Sequence, residues 1–267
     1  MNILITNDDG IHAQGLQDLV KHLPKWVKPT IFAPIHEKSA CSHSISLKDK
    51  LKVEKGKVHG HPAFAIHGTP ADSVKFAFSD FVKYKPDLVI SGINHGTNTG
   101  VSVYYSGTIS AAREAFINGV PAIAVSLASR HHRDFSSCSR IVELLIDAYH
   151  HKHFPSDMLL SVNVPPLEWD ELKGIKITKQ AASRFVEEFI LEGEQNGHNL
   201  FSLGGEIKLD NPDGESDEEA VAQGYISITP LKLDMTHYEV MPMLHEWTKN
   251  AHSRGSAKKK EVKDGKK

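Results

Sequence analysis

The chain has 267 residues, 40% of them hydrophobic, and a formal net charge of −2. That is enough to bury a large core without staples, so one large α/β domain, or one domain with a sizeable appendage, is expected. Two cysteines without metal-type spacing, no apolar run near the roughly 20 residues that span a bilayer, and no signal-peptide pattern exclude disulfide scaffolds and membrane spans; a soluble cytoplasmic protein is expected.

In chain order, "NILIT" reads as a buried strand that ends in "NDDG". One carboxylate after a strand could cap the helix beginning near Ala13. Two adjacent ones, Asp8 and Asp9, repel each other and are held comfortably where a hard divalent cation such as Mg²⁺, Mn²⁺ or Ca²⁺ neutralises them. Gly10 then lets the chain turn without a side chain in the way. "TIFAP", "DLVIS" and "AIAVS" are further apolar, β-branched runs, and helix-compatible stretches lie at 15–23 and 72–83. That alternation argues for βαβ units and a parallel sheet, whose ligands bind beyond the carboxyl ends of the strands. Asn7 to Asp9, Pro34 to Ser39 and Ser91 to Asn98 occupy those ends.

"HGTPADSV" places Thr69 before Pro70 with Asp72 close behind, a helix-start signal read as a structural turn. "SGINHGTNTG" is a Gly- and Asn-rich loop in which Asn94 offers an oxygen ligand and Asn98 a donor. Ser106-Gly107-Thr108 enters a helix that runs to about Asn118, and such an entry either caps itself or presents free amides to an anion. Together these pieces describe metal-assisted chemistry on a phosphate. Of the 17 histidines, His12 and His95 are nearest to the proposed ligands in sequence, and no zinc-protease pairing occurs.

After about residue 170 the texture changes. "GIKIT", "EEFILE" and "HNLFSLGGEIK" read as strands joined by Gly/Asn turns and by the acidic loop "DNPDGESDEEA". Residues 171–224 are taken as an extended β arm that packs on another subunit, and "YISITPL" within 225–250 as a return to the 1–170 body or to a partner. From Arg254 onward, seven Lys or Arg stand against Glu261 and Asp264, and 251–267 reads as a solvated, disordered tail and not as a nucleic-acid site.

The segments "ILITNDDGIHAQGL", "HGTPADSV", "PDLVISGINHGTNTG", "YSGTISAAREA", "GVPAIAVS" and "GYISITPLKLDMT" resemble, in order, those of the SurE survival proteins, metal-dependent 5′-nucleotidases acting on nucleoside monophosphates. The resemblance implies a Rossmann-like α/β body with helices on both faces, an extended β-hairpin arm, and a homodimer or homotetramer. It also implies one divalent metal ion per subunit, Mg or Mn with Ca as a further candidate, held by Asp8, Asp9, Ser39 and Asn94. Ser39 aligns although its neighbours in "EKSACS" depart from the family's usual Arg-Ser-Gly, and Ser42 and Ser44 are alternatives in the same loop. Asn98, Ser106, Gly107 and Thr108 would then form the phosphate cradle, with Asp8, Asp9, Asn98 and Ser106 catalytic. Activity on 3′-monophosphates and short polyphosphate is compatible with this set.

Three competitors are weaker. A signalling receiver needs a phospho-acceptor Asp on a later apolar strand, and Asp49 lies in the polar "SLKDKLKV". A haloacid-dehalogenase-type phosphatase needs DxD where this chain has DD. A nucleotide sensor that keeps the metal site without turnover has the same ligand set, and only an assay separates it.

Overall fold

A computed structural model describes residues 1–79, 85–249 and 251. It divides into two units, Met1–Leu231 and Lys232–Lys267.

The first unit is built on a nine-stranded sheet. Its strands are β1 (Asn2–Thr6), β2 (Lys28–Pro34), β3 (Val53–Val58), β4 (His61–Ile66), β5 (Leu88–His95), β6 (Ala122–Leu127), β7 (Leu159–Val164), β8 (Ile175–Ile177) and β11 (Ile226–Pro230), in the order β3-β4-β2-β1-β5-β6-β7-β11-β8. From β4 to β7 every neighbouring pair is parallel, whereas β3 and β11 run antiparallel to β4 and β7. Each central strand has apolar residues on both faces because each face is covered by helices. Ile3 and Ile5 of β1, with Leu88 and Ile90 of β5, pack into a core with Leu16 and Leu19 of α1 (Gln14–Lys21) and Ile141 and Leu145 of α5 (Ser136–His150). Leu4 and Val89 face the other way, against Val74 of α2 (Pro70–Ala77) and Ile109, Ala112 and Ala115 of α4 (Gly107–Ile117). A four-residue helix, α3 (Ser102–Tyr105), precedes α4, and α6 (Asp217–Ala222) precedes β11.

The remaining strands, β9 (Ser183–Gln195) and β10 (His198–Leu209), form a separate antiparallel hairpin. Asn196 and Gly197 both have positive φ, as a two-residue turn matched to strand twist requires. In the second unit, residues 241–249 are helical.

Several boundaries differ from the sequence reading. The helix expected over 72–83 starts at Pro70 under a Thr69 capping box and ends at Ala77, and residues 80–83 lie outside the described residues. The hairpin β3–β4 is an addition, and its outer strand "VEKGKV" is polar because it is a sheet edge. The arm expected over 171–224 narrows to β9 and β10. "GIKIT" supplies β8, which pairs with β11 in the main sheet, and the acidic segment supplies α6. Of the expected basic tail, 252–267 lies outside the described residues.

Candidate active site

Polar residues gather where the strands β1, β5 and β6 end. Asp8 is buried, 5% exposed, directly beyond β1. Its Oδ1 accepts a 2.5 Å hydrogen bond from the Thr108 hydroxyl, and the Thr108 backbone also binds the carboxylate. Burial nonetheless raises the Asp8 carboxyl above its ordinary range. Neither Asp8 nor Asp9 caps α1, whose N-cap is Ala13 without a side-chain bond. The pair is therefore free for another role.

Asp9 is pushed up to about 7 by burial first, then by the Asp8 charge, and more weakly by Glu37, against a lowering hydrogen bond from the His95 backbone. Its Oδ2 is buried without a hydrogen-bond partner. Among the described residues five buried side-chain oxygens lack a partner, and four of them lie around the end of β1: those of Thr6, Asn7 and Asp9, and that of Ser91, which pairs with Thr6 from within β5. Buried polar atoms are nearly always satisfied, so such a concentration points to a ligand of oxygen atoms.

Asn94 is buried near the end of β5 and donates through Nδ2 to the Gly96 carbonyl at 2.8 Å, which leaves its Oδ1 as the unused end. The strand is irregular between Ser91 and Asn94. Gly92 sits there at φ +142, and a Cβ on it would lie 2.4 Å from the Val125 carbonyl oxygen, so only glycine fits.

Ser39 is exposed, one residue beyond Lys38, whose backbone N–H donates to the Asp8 carbonyl at 2.8 Å. The Ser39 hydroxyl donates to Glu37 Oε1 at 2.5 Å, so its lone pairs are the part left for a cation. In the alternatives the backbone is held, the Ser42 N–H donating to the Tyr105 carbonyl and the Ser44 carbonyl accepting from the Thr69 hydroxyl, and neither bond uses the serine's own hydroxyl. Thr69 and Asp72 thus do more than start α2, because Asp72 also accepts from the backbone and hydroxyl of Ser46 at 2.9 and 2.7 Å. His43 and Lys75 meet at buried Glu114 of α4, at 2.9 and 2.8 Å. Cys41, in the same loop, is held as a neutral thiol by burial and by the charge of Asp8.

Ser106 is the N-cap of α4; its Oγ accepts from the Ile109 N–H at 3.0 Å, so its own proton is available to an acceptor. Gly107 lies against Asp8 so closely that a Cβ would fall 2.7 Å from both Asp8 Cβ and Oδ2. Asn98, expected as a free donor, already donates through Nδ2 to Ser126 Oγ at 2.8 Å and to Thr108 Oγ1 at 3.4 Å. Its backbone N–H donates to Asn163 Oδ1 at 2.8 Å, and its carbonyl faces Ser161. A polar line therefore runs Ser126, Asn98, Thr108, Asp8. Ser126, Ser161 and Asn163 escaped the sequence reading because single polar residues in strands carry no motif.

Of the two histidines singled out, His95 touches Asp9 by its backbone, and its Nε2 is 3.2 Å from the Arg133 guanidinium. Burial, then the Arg133 charge, holds its ring below the usual range, which favours the uncharged imidazole. His12 lines a cavity of about 340 Å³ with Gln17, Glu54 and His59.

The donor set of two carboxylates, one amide oxygen and one hydroxyl suits a hard divalent cation. Among the described residues no three His, Cys, Asp or Glu side chains gather as a metal site, as expected of a set whose other members are Asn and Ser.

A family profile described as Survival protein SurE matches residues 3–187. The chain is 42% identical over 257 residues to a 5′-nucleotidase SurE of Pelotomaculum thermopropionicum, covering 94% of this chain and 96% of that one. It is 40% identical over 248 residues to one of Syntrophobacter fumaroxidans, covering 92% and 99%. A crystal structure of the SurE protein from Aquifex aeolicus superimposes with a TM-score of 0.80 at 32% identity, over 93% of this chain and all of that one.

Proposed function

The chain belongs to the SurE family, and we propose that it is a divalent-metal-dependent 5′-nucleotidase, a phosphohydrolase that releases phosphate from nucleoside 5′-monophosphates. The observation that carries the reading is the buried, unpartnered Asp9 Oδ2 beside Asp8, two carboxyls raised together at the mouth of a parallel sheet. Asp8, Asp9, Asn94 and Ser39 would hold one Mg²⁺ or Mn²⁺, with Ca²⁺ a weaker candidate.

Such an ion, when bound, supplies positive charge to a phosphoryl oxygen and acidifies a coordinated water. The protein's own groups do the rest. Thr108 fixes the Asp8 carboxylate with hydroxyl and backbone, and Asn98 orients Thr108. Ser106 and the Gly107 amide, at the positive end of an 11-residue helix, face the phosphate and stabilise charge that grows on its oxygens. Gly107 keeps that approach open. No side chain need attack phosphorus.

The arm leaves Phe189, Leu191, Phe201 and Leu203 exposed, which supports a homodimer or homotetramer joined through it. Two free cysteines support a cytoplasmic location. No described helix is long and apolar enough to cross a membrane.

The test is phosphate release from nucleoside 5′- and 3′-monophosphates and short polyphosphate, with Mg²⁺, Mn²⁺ or excess chelator. Release from 5′-monophosphates that chelator abolishes is expected. Metal-dependent nucleotide binding with no release in any condition would replace the enzyme by a sensor.

A further inference from the structure

The segment "DNPDGESDEEA" has the composition of a solvated acidic loop, yet one of its acids, Asp217, is fully buried. Among the described residues it makes no ion pair. Instead its carboxylate collects three backbone N–H groups: Gly100 at 3.0 Å, Ala181 at 2.9 Å and Glu218 at 2.9 Å. These come from three segments, namely the Asn-Gly loop, the root of the arm and α6.

A buried carboxylate without a cation is costly, and it is tolerated where several donors converge on it. All three partners here are donors. Only an acceptor-only group satisfies them, so an amide of the same shape would turn an N–H toward an N–H.

The same loop is gripped again nearby. Gln180 Nε2 donates to the Gly100 carbonyl at 2.7 Å, and Ser183 Oγ accepts from the Val101 N–H at 3.0 Å while donating to Glu218 Oε1 at 2.9 Å. Gly100 has φ +49, and a Cβ there would fall 2.1 Å from Ser183 Oγ and 2.2 Å from Glu218 Oε1. Two residues earlier, Asn98 begins the line through Thr108 to Asp8.

We propose that Asp217 is a positioning residue: with Gln180 and Ser183 it clamps the loop at Gly100 to the root of the arm and thereby sets Asn98, Thr108 and Asp8 for phosphate release. Asp217 acts through the loop and touches no substrate. The inference rests on the phosphohydrolase reading above, and it makes the arm's root part of the catalytic framework.

The test compares wild type, Asp217→Asn and Ser183→Ala for kcat and KM on a nucleoside 5′-monophosphate with Mn²⁺, alongside thermal melting and amide hydrogen exchange over the loop. For Asp217→Asn, kcat is expected to fall about 30- to 100-fold with KM within about threefold, since a displaced catalytic group costs about that much. Ser183→Ala, which removes one grip, is expected to lose roughly three- to tenfold in kcat. A folded Asp217→Asn protein with wild-type kcat overturns the proposal, as does a lower melting temperature with kcat unchanged below it, which marks a purely structural residue. If Asp217→Asn does not fold, Ser183→Ala decides by the same criteria. If wild type itself releases no phosphate, the function reading fails separately, and exchange decides the clamp: faster exchange at Gly100 and Val101 in Asp217→Asn supports it, and unchanged exchange refutes it.

Discussion

The mouth of the main sheet and the β9–β10 hairpin depart from ordinary burial in opposite senses. At the mouth, Asp8, Asn94, Asn98 and Thr108 are polar and buried. In the hairpin, Phe189 and Leu203 are apolar and 69% and 60% exposed. The first region can hold its polar groups because a finished core surrounds them: strands covered on both faces, two helix layers, and hydrogen bonds arriving from β6, β7 and α4. Among the described residues the hairpin is a sheet of two strands that pairs with no other strand, and its apolar side chains stay exposed. The first region keeps buried oxygens without partners, the second keeps apolar side chains in the open, and the root of the arm at Ala181 and Ser183 ties the hairpin to the loop at Gly100.

That contrast can be broken from the site side first. A side chain at Gly107 would strike Asp8 at 2.7 Å, so Gly107→Val is expected to displace the carboxylate and lower kcat by about 100-fold or more while the arm and the sedimentation of the protein stay unchanged. Steady-state kinetics with sedimentation on one sample checks both halves. Thr108→Val removes the hydroxyl that holds Asp8 at 2.5 Å; Mn²⁺ affinity by calorimetry is expected to fall about 10- to 100-fold, as for other partners that orient a ligand.

The burial of the acids also has a cost that pH reveals. In metal-free protein the folded Asp9 carboxyl, at about 7, keeps a proton that the unfolded chain, near 3.8, has released. Stability contributed by that proton is present below the unfolded value and is lost as pH rises to the folded one, so melting temperature in chelator should fall between about pH 4 and pH 7. Asp8, Asp217 and Glu218 shift the same way, so Asp9→Asn should flatten only part of the slope. Adding Mn²⁺ should raise the melting temperature more at the high end of the range than at the low end.

The smallest effect on chemistry is expected from the arm. Phe189→Ser with Leu203→Ser should leave the melting of the body almost unchanged and shift the protein toward monomer by sedimentation velocity, because those largely exposed side chains are cross-strand neighbours of each other in the hairpin and belong to neither cluster of the body's core. A variant that unfolds the body would show that the hairpin is part of its core.

The strands β1 and β5 were legible because the apolar runs "NILIT" and "DLVIS" give way abruptly to Asn-Asp-Asp-Gly and Gly-Ile-Asn, although β5 runs on to His95 through residues that read as the start of the Gly- and Asn-rich loop. The Ser106-Gly107-Thr108 helix entry was legible for a similar reason, although its division of labour was not. Which hydroxyl caps and which binds Asp8 depends on how α4 is set against β1. The strand "VEKGKV" was missed because an edge strand with one solvated face has no apolar pattern to read. Asp217 was hidden among its acidic neighbours. Burial of one acid out of a charged loop is decided by the chain returning beneath the arm, a tertiary event without a local signal.

The most direct measurement is phosphate release from a nucleoside 5′-monophosphate in Mn²⁺ by wild type and Asp9→Asn, with each variant's Mn²⁺ binding measured on the same preparation. Substitution removes the charge at the unpartnered Oδ2, and the account predicts that release and metal binding fall together, by about 1,000-fold or more in kcat/KM. An Asp9→Asn enzyme that is folded and retains wild-type turnover would contradict the account at its centre.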